Sequence, residues 1–189
     1  LHVGPELAYV LVQQGEQKFI LAKERLDLLS GPYEVLRDVT PRSLAGLGYE
    51  PLYPGVVTGG TEPVLVGDPA KAHRIYVDAF VATTEGTGVV HSAVMYGEED
   101  FLAGKEHDLP RVEMLDHKGH YLPLAPEFLR GVFFKNAEKL VLGDLESRGL
   151  VFQIKPYTHS YPHCWRCSTP LYYNALSAWF INIQKIKPE

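Results

Sequence analysis

Cysteine is almost absent from this chain. Cys164 and Cys167 are the only two among 189 residues, which rules out a disulfide framework. Positive charge is not in excess. Lys and Arg number 18 against 23 Asp and Glu, for a net charge of −5. A protein that holds nucleic acid mainly through its phosphates needs a basic surplus, so an RNA partner would draw most of its affinity from elsewhere. No apolar run reaches the length of a membrane span. The start, Leu1-His2-Val3-Gly4-Pro5, has neither the basic nor the apolar region of a signal peptide. A cytoplasmic, membrane-free setting is the expectation. The chain opens without methionine, and Ala178-Trp179-Phe180-Ile181 near its end is apolar; both features read as a fragment of a longer chain. Also missing are internal repeats, a nucleophile elbow, a Ser-His-Asp set and a carboxylate pair suited to glycoside chemistry.

The composition that remains is that of a globular protein, 46% apolar and 22% charged. Alternation predicts strands at 8–12 and 18–22, joined through a hairpin at Gly15, and at 33–39. A single helical turn is expected at 24–29. Residues 41–62 are dense in Pro and Gly and read as a surface meander, with a short strand at Val56-Val57. A loop follows at 63–73, then strands at 74–81, 88–93 and 111–115, with a turn at 116–119. The helices are expected at 98–107 and 136–148. In the second, Asn136 suits the N-cap, Ala137, Leu140, Val141 and Leu145 form one apolar stripe, and Gly149 ends the helix. Residues 150–154 read as a strand and 172–181 as extended. Many short strands with few helices predict an α+β domain built on a β-barrel or curled sheet. Its extent is 1–156, followed by an aromatic, histidine-rich ribbon at 157–189.

The chemistry-bearing stretch is Thr83-Thr84-Glu85-Gly86-Thr87-Gly88-Val89-Val90-His91, then Gly97-Glu98-Glu99-Asp100-Phe101. A Gly/Thr turn enters an apolar strand that ends on an imidazole. Nine residues after His91 comes Asp100, in the acidic first turn of a helix. Gly86-Thr87-Gly88 fits neither a dinucleotide fingerprint nor a P-loop, and taken alone it is a turn with positive φ. His91 is either a hydrogen-bonded structural residue or part of a pocket. The carboxylate of Asp100 either complements the helix dipole or holds an ammonium group through a charge-assisted hydrogen bond. Cys164-Trp165-Arg166-Cys167 is either a pair of free thiols or two of the four ligands of a zinc site. His159 and His163 lie nearby, but so tight a turn would strain to use them as ligands too.

In this order the motifs resemble the editing domain of isoleucyl-tRNA synthetases. Leu44-Ala45-Gly46-Leu47-Gly48-Tyr49-Glu50-Pro51-Leu52-Tyr53-Pro54 belongs to the same resemblance. So does His159-Ser160-Tyr161-Pro162-His163-Cys164-Trp165-Arg166-Cys167-Ser168-Thr169-Pro170-Leu171, with Trp179-Phe180-Ile181 after it. The likeness covers nearly all of 1–189. Valyl and leucyl relatives look similar around Gly86–Gly88 but lack His91 in this context and the 159–170 string. Isoleucine and valine differ by one methylene, worth only about 1–3 kcal/mol in a pocket, a limit for which these synthetases are themselves the standard example. The resemblance therefore implies a second pocket that hydrolyses valine misattached to tRNA(Ile), and possible action on valyl-adenylate.

Carried onto this sequence, the resemblance makes Asp100 the anchor of the substrate's α-ammonium group and His91 the histidine that limits side-chain size. Thr83, Thr84, Gly86, Thr87 and Gly88 become the flanking substrate-binding loop, and a water becomes the nucleophile. It implies that the editing reaction needs no cofactor and that ATP is used by the parent enzyme outside this stretch. Cys164 and Cys167 would be half of a four-cysteine zinc site in the full-length protein. The partners implied are the tRNA(Ile) acceptor end and the rest of the synthetase chain, with the fragment itself monomeric. Two departures stand out. A threonine-rich strand with a Pro-Trp motif, part of the family pocket, is expected upstream of Leu1. Val94-Met95-Tyr96 replaces a proline-containing turn before Asp100. The alternatives are a tRNA 3′-end docking module without catalysis, or the editing domain of a valyl or leucyl relative.

Overall fold

The computed structural model describes residues 1–54, 66–156, 158, 160–175 and 178–187. Val56-Val57, the meander beyond Pro54 and His159 lie outside them.

The clearest unit is a meander of β2 (Tyr9–Gln14), β3 (Gln17–Ala22) and β4 (Glu34–Val39), with β2 in the centre and both pairings antiparallel. Gly15 takes φ 59° at the hairpin tip, where a side chain would be disfavoured. Alternation along β2 sends side chains to opposite faces. Tyr9 joins Val3, Ala22, Val39 and Leu44 in one cluster, with Leu11 against it. Val10 and Val12 join Leu21 and Leu29 in the other. This central strand is thus covered on both sides, and each valine so buried contributes at most about 1.5–3 kcal/mol.

A second sheet holds β1 (His2–Val3) between β5 (Tyr76–Val77) and β6 (Val89–Val90), parallel to the first and antiparallel to the second. Val3, Val77 and Val89 carry it onto the Tyr9 cluster.

The helices are α1 (Pro41–Leu44), α2 (Glu98–Glu106), α3 (Ala137–Ser147) and α4 (Ile183–Ile186). A 3₁₀ turn, Lys23–Leu28, follows β3. In α1, Pro41 sits at the first turn and Thr40 accepts the Ser43 amide. Helix α3 ends at Gly149, φ 65°.

The α+β class stands, but the expected barrel does not form among the described residues, which make two separate three-stranded sheets. The second sheet is too short to curl, because only two residues of each apolar run join the ladder. Three smaller expectations also change. Residues 111–115 contribute only isolated bridges, Arg111 with Val66 and Leu115 with Tyr121. Residues 150–154 form no strand, and Leu150, Phe152 and Ile154 are exposed. In α3, Ala137 and Val141 face the core but Leu140 is exposed, and Asn136 makes no side-chain cap.

The turn expected at 116–119 is present. Asp116 accepts the amides of Lys118 and His120 through its carboxylate, and its own carbonyl takes that of Gly119. Further along, Tyr172 donates to the Asp116 carbonyl at 2.8 Å and stacks near Phe134. No helix among the described residues is long and apolar enough to cross a membrane.

Candidate functional site: the Thr83–Gly88 loop, His91 and Asp100

The Thr83–Gly88 loop is pinned from the hairpin side along most of its length. Arg25, in the 3₁₀ turn after β3, donates to the carbonyls of Thr83 at 3.0 Å and Thr84 at 3.4 Å. The hydroxyl of Thr83 donates to the Glu24 carboxylate at 2.8 Å. The Ala22 amide donates to the Thr87 carbonyl at 2.8 Å. Tyr9, buried in the core, donates its hydroxyl to the Gly88 carbonyl at 2.6 Å and accepts the Gly4 amide at 2.8 Å.

Gly86 and Gly88 both have positive φ, 65° and 77°. They differ in surroundings. Space around Gly86 is open, whereas a Cβ on Gly88 would lie 2.6 Å from that of Ala22. Gly88 is the point where the loop lies directly on β3.

His91 follows β6 and is exposed at the strand end. Enough protein surrounds the ring that desolvation, the largest influence, lowers its pKa below 6.5. The Leu1 ammonium group, His2 and His73 push the same way, and Asp100 pushes back. The carboxylate of Asp100 is therefore near enough to act on His91, and the imidazole is neutral at pH 7.

Asp100 is half-buried in the first turn of α2. Its Oδ2 folds back over Gly97, into the space a side chain there would occupy. Farther along the helix, Gly104 gives room for Val94 to pack against α2. The altered Val94-Met95-Tyr96 turn is well anchored too. Met95 is buried, and the Tyr96 hydroxyl accepts the amides of Met114 and Leu115. A shallow groove elsewhere, lined by Pro5, Glu6, Thr40, Pro41, Arg42 and Val77, includes none of these residues.

The cysteines form a compact knuckle. Cys164 accepts the Ser168 amide through its carbonyl and donates its own amide to Thr169; Ser168 has φ 57°. Both thiols are free. That of Cys167 is lowered in pKa, first by the Thr169 hydroxyl 3.1 Å away and also by the Cys164 thiol. Two adjacent thiols suit a soft cation. His163 instead donates Nδ1 to the Tyr161 carbonyl, so its ring is turned into the local chain.

Sequence reasoning missed a further cluster. Asp78, just after β5, accepts from His2 Nδ1 at 2.6 Å and from His107 Nε2 at 3.0 Å. The three residues are far apart in sequence and stand in no motif. Only the pairing of β1 with β5, which spacing does not reveal, brings His2 to Asp78.

Comparison with known proteins places this architecture in a class. No family model matches the chain. Individual proteins do, and they are aminoacyl-tRNA synthetases. The Thermus thermophilus relative is 38% identical over 189 residues, covering 99% of this chain. The Treponema pallidum relative is 35% identical over 192 residues, again covering 99%. That of Aquifex pyrophilus is 38% identical over 187 residues, covering 96%. All three are isoleucine–tRNA ligases, and this chain is homologous throughout to a segment of that family. It spans only 17% and 18% of the Thermus and Treponema proteins, and 35% of the Aquifex one.

Proposed function

We propose that the chain is the editing domain of an isoleucine–tRNA ligase, hydrolysing valine misattached to tRNA(Ile). The observation that carries this reading is the homology of 99% of the chain to a segment of isoleucine–tRNA ligases; the pinned Thr83–Gly88 loop and the electrostatic influence of Asp100 on His91 are in keeping with it.

Each residue has a distinct task. Asp100 binds the α-ammonium group of the aminoacyl ester. Fold-back over Gly97 leaves the carboxylate close to the N-terminus of α2, whose dipole favours a negative charge there. A neutral His91 forms a wall without repelling that ammonium group. Its bulk excludes the additional methylene of isoleucine, so selection rests on size. The Thr83–Gly88 loop flanks the ester, and its pinned backbone limits reorganisation during attack. The nucleophile is a water oriented by Asp100 and a ribose hydroxyl of the substrate. It adds to the ester carbonyl, and the tetrahedral intermediate expels the ribose oxygen, which takes up a proton. The products are free valine and intact tRNA.

Residues 157–189 are the segment returning toward the synthetase catalytic domain. Trp165, Trp179 and Phe180 are 89%, 103% and 89% exposed, apolar surface suited to cover by the rest of the enzyme. Cys164 and Cys167 supply half of a zinc site completed by that remainder. ATP binding and isoleucine activation belong to other parts of the parent enzyme, in the cytoplasm.

The test is Asp100→Ala in the full-length ligase. Deacylation of valyl-tRNA(Ile) falls at least tenfold, about 1.4 kcal/mol of transition-state stabilisation, and mischarged tRNA accumulates. Isoleucine charging is unchanged. Wild-type deacylation by the variant refutes the assignment. Loss of tRNA binding without any catalytic difference supports a docking module instead.

A further inference from the structure

We propose that His2, Asp78 and His107 form a binding site for a borderline divalent metal ion, zinc above all, on the side of the second sheet where α2 ends. The ligand set is two imidazoles and one carboxylate, and their donor atoms all lie within 4.8 Å of one another.

Geometry comes first. His2 Nδ1 and His107 Nε2 both point at Asp78, at 2.6 Å and 3.0 Å. Tetrahedral zinc with bonds near 2.0–2.1 Å sets its ligand atoms about 3.3 Å apart. Lengthening the two Asp78 contacts by less than about 1 Å, with the imidazole nitrogens already within 4.8 Å of each other, would bring the set toward that geometry. Three separate pieces of chain supply the donors: β1, the residue after β5, and the C-cap of α2. Their convergence comes from the fold and not from local sequence.

Charge is the second consideration. The Asp78 side chain is only 9% exposed and that of His2 is fully buried. The ion-pair partners of Asp78 among the described residues are these two histidines, with the Leu1 ammonium group acting on it from farther away. A carboxylate so sheltered calls for a compensating cation. His107 also closes the C-terminal end of α2, where the helix dipole places partial negative charge. A cation here answers both.

The environment is the third. Tyr76 and Phe80 pack around the imidazoles, with the Tyr76 and His107 centroids 4.6 Å apart. This apolar shell holds the rings in place. The His107 side chain, 22% exposed, gives an ion a way in, and a water supplies the fourth ligand. Imidazole donors favour zinc over magnesium or calcium. A bound ion would tie α2, which carries Asp100 at its other end, to the central strand of the second sheet.

The experiment must separate this site from the cysteine knuckle. Zinc and cobalt(II) are titrated into the chain bearing Cys164→Ser and Cys167→Ser. One equivalent binds, and the cobalt form shows ligand-field bands with no thiolate charge-transfer absorption. The thermal midpoint rises with zinc concentration, as mass action requires. His107→Gln and Asp78→Asn each weaken binding by more than about tenfold. X-ray absorption of the zinc-loaded chain, needing no substitution at the site, reports nitrogen and oxygen neighbours without sulfur. Absence of binding in the double-serine background overturns the proposal. Affinity indifferent to both His107→Gln and Asp78→Asn does the same.

Discussion

At the scale of single residues, protonation of His91 is the variable on which its proposed role turns. Desolvation by the surrounding protein and neighbouring positive charge hold the pKa of this surface-exposed ring below 6.5, the value of an unperturbed imidazole. The sign for stability follows from proton binding. Between the unfolded pKa and the lower folded one, the unfolded chain binds more protons, so stability is full above about 6.5 and declines as pH falls through that window. For editing, a protonated His91 would compete with the substrate's ammonium group for Asp100. An NMR titration of the His91 ring is expected to give a midpoint below 6.5, and valyl-tRNA binding should weaken as the ring acquires its proton. A midpoint at or above the unperturbed value contradicts this description of the site. His91 and Asp100 stood out in the sequence as candidates because one short stretch carries both. His2, Asp78 and His107 did not, since separations of 76 and 29 residues between the partners leave no local pattern.

At the scale of elements, the central event is the docking of the Thr83–Gly88 loop on the hairpin. Gly86 and Gly88 separate two reasons for glycine. Alanine at Gly86 meets only the backbone penalty of positive φ, about 1–2 kcal/mol. Alanine at Gly88 meets that penalty and also the Ala22 side chain, adding about 1–3 kcal/mol of overpacking. Urea unfolding should therefore rank Gly88→Ala as clearly the more damaging of the two. Equal losses would mean that the loop does not rest on β3. The hairpin itself was readable from alternation and a turn glycine. The second sheet was read poorly for a physical reason. Two-residue strands have too little length to show a period, and β1 gains its place only through partners 74 and 88 positions away. Residues 150–154 erred in the other direction. They alternate like a strand but pair with none among the described residues, and their apolar side chains remain largely at the surface, with Phe152 beside Phe19 of β3.

At the scale of the whole molecule, two small sheets, the helix carrying Asp100 and the knuckle are joined in a chain matching about a sixth of a much longer ligase. The net charge of −5 means that, under the proposed editing role, most phosphate contacts to a tRNA would fall to other parts of the enzyme. The α+β composition was foreseeable from many short apolar runs. The expected barrel, which is not seen among the described residues, was the weaker expectation, because closure depends on strand registry between distant segments. The decisive measurement is a crystal structure of the full-length ligase with a non-hydrolysable valyl-adenosine analogue. The amine should sit on the Asp100 carboxylate, with the valine side chain against His91. An analogue bound with its amine away from Asp100, or with His91 outside contact of the side chain, would contradict the account.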